Sequence, residues 1–163
     1  MVFQTPARSG KVEPVARFVD RALRLWGQPL PPGDEGLEAF RAVYADPVQL
    51  NGADTALSVL LDRSRMMQAA FTDLRHTVLE EVETPGRLAF AFRISGRHVG
   101  PLTTPLGELA PTGSAVDVAG IDIFVIDEQQ DRVTAIWAQA DYLSLLIAAG
   151  AVSRLGEPAD ERT

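Results

Sequence analysis

Among the side chains of the second half of the chain that can move protons, three stand in motifs or apolar runs: His98, Asp122 and Asp141. His98 falls in Gly96-Arg97-His98-Val99-Gly100, Asp122 interrupts an apolar run ending at Ile126, and Asp141 closes Trp137-Ala138-Gln139-Ala140-Asp141. A carboxyl beside an indole in a dry site has its pKa raised, because burial disfavours the charged form; it can then hold or take a proton near neutral pH. With an imidazole nearby, such groups suit general acid/base work on a small molecule.

Each candidate has a structural alternative. Asp141 directly precedes a helical stretch and is placed to cap it. His98 can serve as a hydrogen-bonded loop anchor. Asp122 could be satisfied by an arginine or a backbone amide, since a lone buried carboxylate is costly unless paired or functional. His76 reads as a surface residue on an edge-like strand. The chain has no cysteine and only two histidines, so no metal site is expected. The lone serines and threonines lack a nucleophile-elbow context, and no cofactor fingerprint is present, so the expected cofactor is none.

Whether the candidates meet depends on the strands that carry them. Alternation from Arg132 places Val133, Ala135, Trp137, Gln139 and Asp141 on one face, with Thr134, Ile136, Ala138 and Ala140 on the other. In the strand Ala115 to Ile126, the residues Val116, Val118, Gly120, Asp122, Phe124 and Ile126 share a face. A hairpin centred on Gln129-Gln130 sets Asp122 opposite Trp137 on a common face. Earlier, Leu88, Phe90, Phe92, Ile94 and His98 share parity, so His98 ends an apolar stripe.

Helices come first. Apolar residues recur at helical spacing from about Val12 to Trp26, and Gly27 with Pro29-Leu30-Pro31-Pro32-Gly33 stops that helix. A shorter helix is expected from Asp34, its plausible cap, to Val43, then a brief extended segment and an Asn51-Gly52 turn. Asp54 is the expected cap of a third helix, whose stripe is Leu57, Leu60, Leu61, Met67, Ala70 and Phe71 and whose other face carries Asp62, Arg63 and Arg65. His76 to Glu83 and Leu88 to Ile94 read as a hairpin about Thr84-Pro85-Gly86. Residues 99–114 read as an ordered loop at a pocket mouth, and Tyr142 to Ala149 as a final helix stopped by Gly150. The expected fold is α+β: a curved, mostly antiparallel sheet with the N-terminal helices packed on one face around an apolar pocket.

At 163 residues the chain fits one domain, expected over 12–152, with a mobile arm at 1–11 and a polar tail at 153–163. A formal charge of −7 argues against nucleic acid and anionic membrane as partners. No apolar stretch approaches the roughly 18 residues of a membrane span, and the start lacks the apolar core of a secretory signal, so a soluble cytoplasmic protein is expected.

The order of these elements, with Tyr44-Ala45-Asp46-Pro47-Val48, Asn51-Gly52, Gly96-Arg97-His98-Val99-Gly100, Pro111-Thr112-Gly113, Trp137-Ala138-Gln139-Ala140-Asp141 and the Leu145-Leu146 helix, resembles the SnoaL-like polyketide cyclases, or ester cyclases, of the nuclear-transport-factor-2-like superfamily. The resemblance covers about Val12 to Val152. It implies a cone-shaped α+β fold, a homodimer, an apolar cavity, and ring closure by intramolecular aldol condensation without cofactor or metal. It also implies that Asp141 is the general acid/base, that His98 belongs to the site, and that Asn51 supplies a polar pocket group.

The expected catalytic residues are therefore Asp141, His98 and Asp122; the expected substrate contacts are Asn51, Trp137, Gln139, Phe92 and Phe124. The expected ligand is a hydrophobic, carbonyl-bearing small molecule. Epoxide opening, hydration or cyclic-ether formation by Asp122 and Asp141 acting together is a second reading, and a non-catalytic binding or dimerisation module a third.

Overall fold

The computed structural model describes residues 16–104 and 107–152. The expected arm and tail, the start of the first helix and the pair Pro105-Leu106 lie outside the described residues.

Helix α1 (Ala16–Gly27) buries Phe18, Val19, Ala22 and Leu25 on one stripe, as its spacing dictates. Its last carbonyls need partners, and the side chains of α3 (Leu57–Ala70) supply them. Ser64 Oγ donates to the Leu25 carbonyl at 2.6 Å and Gln68 Nε2 donates to the same oxygen at 3.1 Å. This explains a fully buried serine within a leucine-rich helix. Helix α2 (Asp34–Arg41) follows Gly33, which takes φ 60° at the N-cap position, and contributes the fully buried Phe40.

Strand β1 (Tyr44–Leu50) pairs with the short β2 (Ala53–Thr55) through the Asn51-Gly52 turn. Asp54 thus belongs to a strand and does not cap α3. The first turn of α3 is instead held from a distance, with Asp46 Oδ1 accepting from Leu57 N at 3.3 Å.

Helix α3 passes directly into β3 (Phe71–Thr84), which begins five residues before the expected start at His76. β3 pairs antiparallel with β4 (Arg87–His98), and β4 with β7 (Ala115–Asp127). β7 turns into β8 (Arg132–Ala140), on which β1 lies parallel. The sheet order is β2-β1-β8-β7-β4-β3, and bulges in the β3/β4 and β7/β8 pairs bend it. The described residues of the 99–114 segment carry a small hairpin, β5 (Leu102–Thr104) with β6 (Gly107–Leu109). Helix α4 (Tyr142–Ala148) closes the fold, ending before Gly150 at φ 71°.

One bulge decides the site. Near the turn, Asp127 faces Arg132 and Ile126 faces Val133; beyond it, Val125 faces Ala135 and Asp122 faces Ala138. Thr134 is the extra residue, its hydroxyl donating to the Val125 carbonyl at 3.2 Å. A shift of one residue exchanges the two faces of the strand. Val133, Ile136, Ala138 and Ala140 therefore turn inward with Asp122, while Trp137 turns outward and is 52 % exposed.

Two apolar clusters result. The larger joins α1, α2 and α3 to the inner face of β1, β4, β7 and β8; the smaller gathers Ala70, Phe71, Leu102, Val116, Val118 and Leu145.

Candidate functional site

Between the helices and the inner face of the sheet lies a cavity of about 460 Å³. That is within the ~300–1,000 Å³ of small-molecule sites. Trp26, Tyr44, His76, Phe90, Phe92 and Phe124 are among its lining residues. With Phe40, which packs behind Trp26 and Tyr44 outside the lining, they form an unbroken run of ring contacts with centroid separations from 5.0 to 6.4 Å. The Phe92 ring lies over Gly120, where a Cβ would come to 2.5 Å of it, so glycine is what admits this ring.

Among the described residues, Asp122 is the only acidic one in the lining. It is half-buried and has no hydrogen-bond or ion-pair partner among the described residues. Burial pushes its pKa up to about 7, because the charged form loses water and gains nothing in exchange. Tyr44, buried in the same wall, accepts a hydrogen bond from Trp26 Nε1 at 3.4 Å. Burial, with a smaller contribution from the Asp122 charge, holds the phenol pKa well above its ordinary value. Tyr44 is therefore an O–H donor at neutral pH, with its proton free for another acceptor.

His76 also lines the cavity, against the reading of it as a surface residue. Burial lowers its pKa, and its Nδ1 is buried without a partner beside Gly27 at the end of α1. The imidazole is thus neutral near pH 7. Among the described residues, no three His, Cys, Asp or Glu side chains group as a metal site.

The other expected site residues are placed as follows. Phe92 and Phe124 are in the wall, and Gln139 is in the lining and solvent-exposed. Asn51 borders the cavity, but its amide is committed: Oδ1 accepts from Ala138 N at 2.8 Å and Nδ2 donates to the Ala138 carbonyl at 3.2 Å. It extends the β1 ladder along β8 and fixes the strand opposite Asp122. Trp137 lies on the outer face and takes no part in the lining, a correction that follows from the bulge.

The shared-face expectation for Asp141 is corrected likewise. Its carboxylate is exposed and caps α4, accepting from Ser144 N at 3.0 Å and Ser144 Oγ at 2.6 Å. Those bonds hold its pKa below the usual carboxylate range. His98 is 1 % exposed, outside the lining, and packs on Phe71 at 5.4 Å between ring centroids. Its Nδ1 meets Thr112 Oγ1 at 3.1 Å, and its backbone pairs with Gly113 and Ser114. His98 thus fastens the Pro111-Thr112-Gly113 turn to the sheet.

An α+β cone holds a cavity of small-molecule size with one carboxyl unpaired among the described residues of its lining. Residues 21–148, most of the chain, match the model of the SnoaL-like polyketide cyclases, and the protein belongs to that family. TsrD from Streptomyces laurentii superposes with a TM-score of 0.71 at 19 % identity, over 88 % of this chain and all of that one. IdmH from Streptomyces antibioticus gives 0.61 at 17 % identity, over 85 % and 99 % of the two chains. A SnoaL-like polyketide cyclase from Agrobacterium tumefaciens gives 0.59 at 16 %, over 82 % and 92 %. No curated protein matches the chain.

Proposed function

We propose that the protein is a cofactor-independent cyclase that closes a ring within a hydrophobic, carbonyl-bearing molecule such as a polyketide, with Asp122 moving the proton. The single observation that carries this reading is an unpartnered carboxyl, with a pKa near 7, in an apolar cavity of substrate size.

The chemistry follows from the wall. Ionised Asp122 takes a proton from the carbon next to a substrate carbonyl. The electron pair moves onto that carbonyl oxygen, where the Tyr44 hydroxyl donates a hydrogen bond and the neutral His76 imidazole offers a second polar contact. The enolate carbon attacks another carbonyl of the same molecule; the new alkoxide then takes the proton back from Asp122. One C–C bond forms, and the product of this aldol step is an isomer of the substrate.

Asp141 and His98 have no direct part in this scheme, because neither reaches the cavity lining. The same geometry removes the support for epoxide opening or hydration by Asp122 and Asp141 as a pair. The reading includes a cytoplasmic homodimer; among the described residues no helix is long and apolar enough to cross a membrane. The outer sheet face supports the dimer, since the cross-strand row Val82, Ala89, Ile123 and Trp137 carries three exposed large apolar side chains.

The test is Asp122→Asn with the fold verified by circular dichroism. Turnover of an identified substrate is expected to fall by about 10²- to 10⁴-fold. Unchanged turnover would remove the role assigned to Asp122.

A further inference from the structure

Arg63 is in the wrong place for a solvating residue. The row of α3 that faces the cavity runs Leu60, Arg63, Met67, at spacings of three and four, and all three are in the lining. A charge in that row breaks an otherwise apolar stripe. Arg63 is exposed, so it stands where the cavity meets solvent, as do Thr103 and Tyr142. Its side chain forms no ion pair or hydrogen bond among the described residues; the same holds for Arg24, Arg75 and Arg87, but none of those three is in the cavity lining.

The rest of the molecule would repel an anion, with a net charge of −7. A free guanidinium on the rim is a local exception to that field. Asp122 supplies the opposite sign deeper in the wall, so an anionic group entering this cavity is attracted at the rim and turned away from the Asp122 end. Arginine offers a planar fork of donors that matches an acidic oxyanion pair.

We propose that the ligand of this cavity is an aromatic or polycyclic molecule bearing one acidic group, a carboxylate or its like, which Arg63 holds at the rim while the apolar body lies along the ring-lined wall. Seating the acid there presents the other end of the molecule to Asp122. The proposal rests on the reading of this cavity as the substrate site.

Two fluorescent probes of nearly the same shape separate the charge from the body: anionic 1-anilinonaphthalene-8-sulfonate and neutral N-phenyl-1-naphthylamine. Both are titrated into the wild type, Arg63→Gln, Arg63→Lys and the cavity-filling Ala138→Trp. Arg63→Gln is expected to weaken the anion by about tenfold or more and the neutral probe by less than about twofold, with Arg63→Lys restoring part of the loss. Equal effects on both probes, or none on either, would overturn the role of Arg63 while leaving the cavity reading intact. Binding of both probes that survives Ala138→Trp, in a protein shown to be folded, would put them outside the cavity and overturn the reading beneath the proposal.

Discussion

Asp122 and Ala138 face each other across the β7/β8 pair and Phe90 faces Asp122 across the β4/β7 pair, so the carboxyl has a methyl group and a phenyl ring as its cross-strand neighbours. No arginine or backbone amide reaches it among the described residues. Among the described residues, the partner that would neutralise a structural aspartate is missing from a wall that includes Tyr44, Phe90 and Phe124. A carboxyl kept this way costs stability and supplies a group able to exchange a proton near neutral pH.

That cost has a sign and a pH window. The folded-state pKa of Asp122 is about 7 against an ordinary 3.8, so the unfolded chain gives up this proton first as pH rises. Between roughly pH 4 and 7 the native state binds more protons, and Asp122 subtracts about 1.4 kcal/mol of stability per pH unit. Asp122→Asn removes this loss. Urea unfolding is expected to show the variant more stable than wild type at pH 8 by a few kcal/mol and nearly equal to it at pH 4. Parallel pH profiles for the two proteins would contradict it.

Asp141 is predicted to serve as a cap, and its two conservative variants separate that from catalysis. Asparagine keeps an acceptor for Ser144 N, so Asp141→Asn should retain turnover and melting temperature, whereas Asp141→Ala should lower the melting temperature. A collapse of turnover in a stable Asp141→Asn protein would return the proton to Asp141.

The fold was largely legible in the sequence, and the site less so. Helical spacing in α1 and α3 and alternation in β4, β7 and β8 are strong signals because one face of each element is buried. Asp122 stood out as a carboxylate between Gly120 and Phe124 on an inward face. Its neighbours were misplaced by Thr134: a bulge adds one residue without marking the sequence, and every side chain beyond it changes face. Spacing between buried residues carries a trace of it, since Val133 and Ile136 lie three apart where strict alternation requires two or four. His76 lies on the edge strand β3, and strict alternation from the buried Phe71 would turn it outward. The irregularity between Thr72 and Arg75 sets Leu74, His76 and Val78 on one partly buried face instead, with Arg75, Thr77 and Leu79 outward. The role of Asn51 depends on a contact with Ala138, 87 residues away, that no local pattern encodes.

His98 is predicted to matter for folding and not for ligand binding. His98→Ala removes a fully buried ring from beside Phe71 and frees the Thr112 turn, which should cost about 2–4 kcal/mol in urea unfolding. Affinity for the neutral naphthylamine probe should stay within about twofold of wild type under native conditions, because the ring is outside the cavity wall. Loss of probe binding without loss of stability would contradict this placement.

The outer sheet face makes a separate prediction. If Ile123 and Trp137 are covered by a second copy, Ile123→Lys should convert a dimer into a monomer in sedimentation velocity at micromolar concentration, with the circular dichroism spectrum unchanged. A wild type that sediments as a monomer would rule the dimer out.

The central claim is that Asp122 is a proton carrier tuned by burial in an apolar wall, and its carboxyl can be titrated directly. Carbon-13 NMR of aspartate-labelled protein, with the Asp122 signal assigned by its absence in Asp122→Asn, is expected to show a midpoint at about 7. A midpoint near the ordinary 3.8 would mean that water or a partner reaches the carboxyl, and would contradict the account.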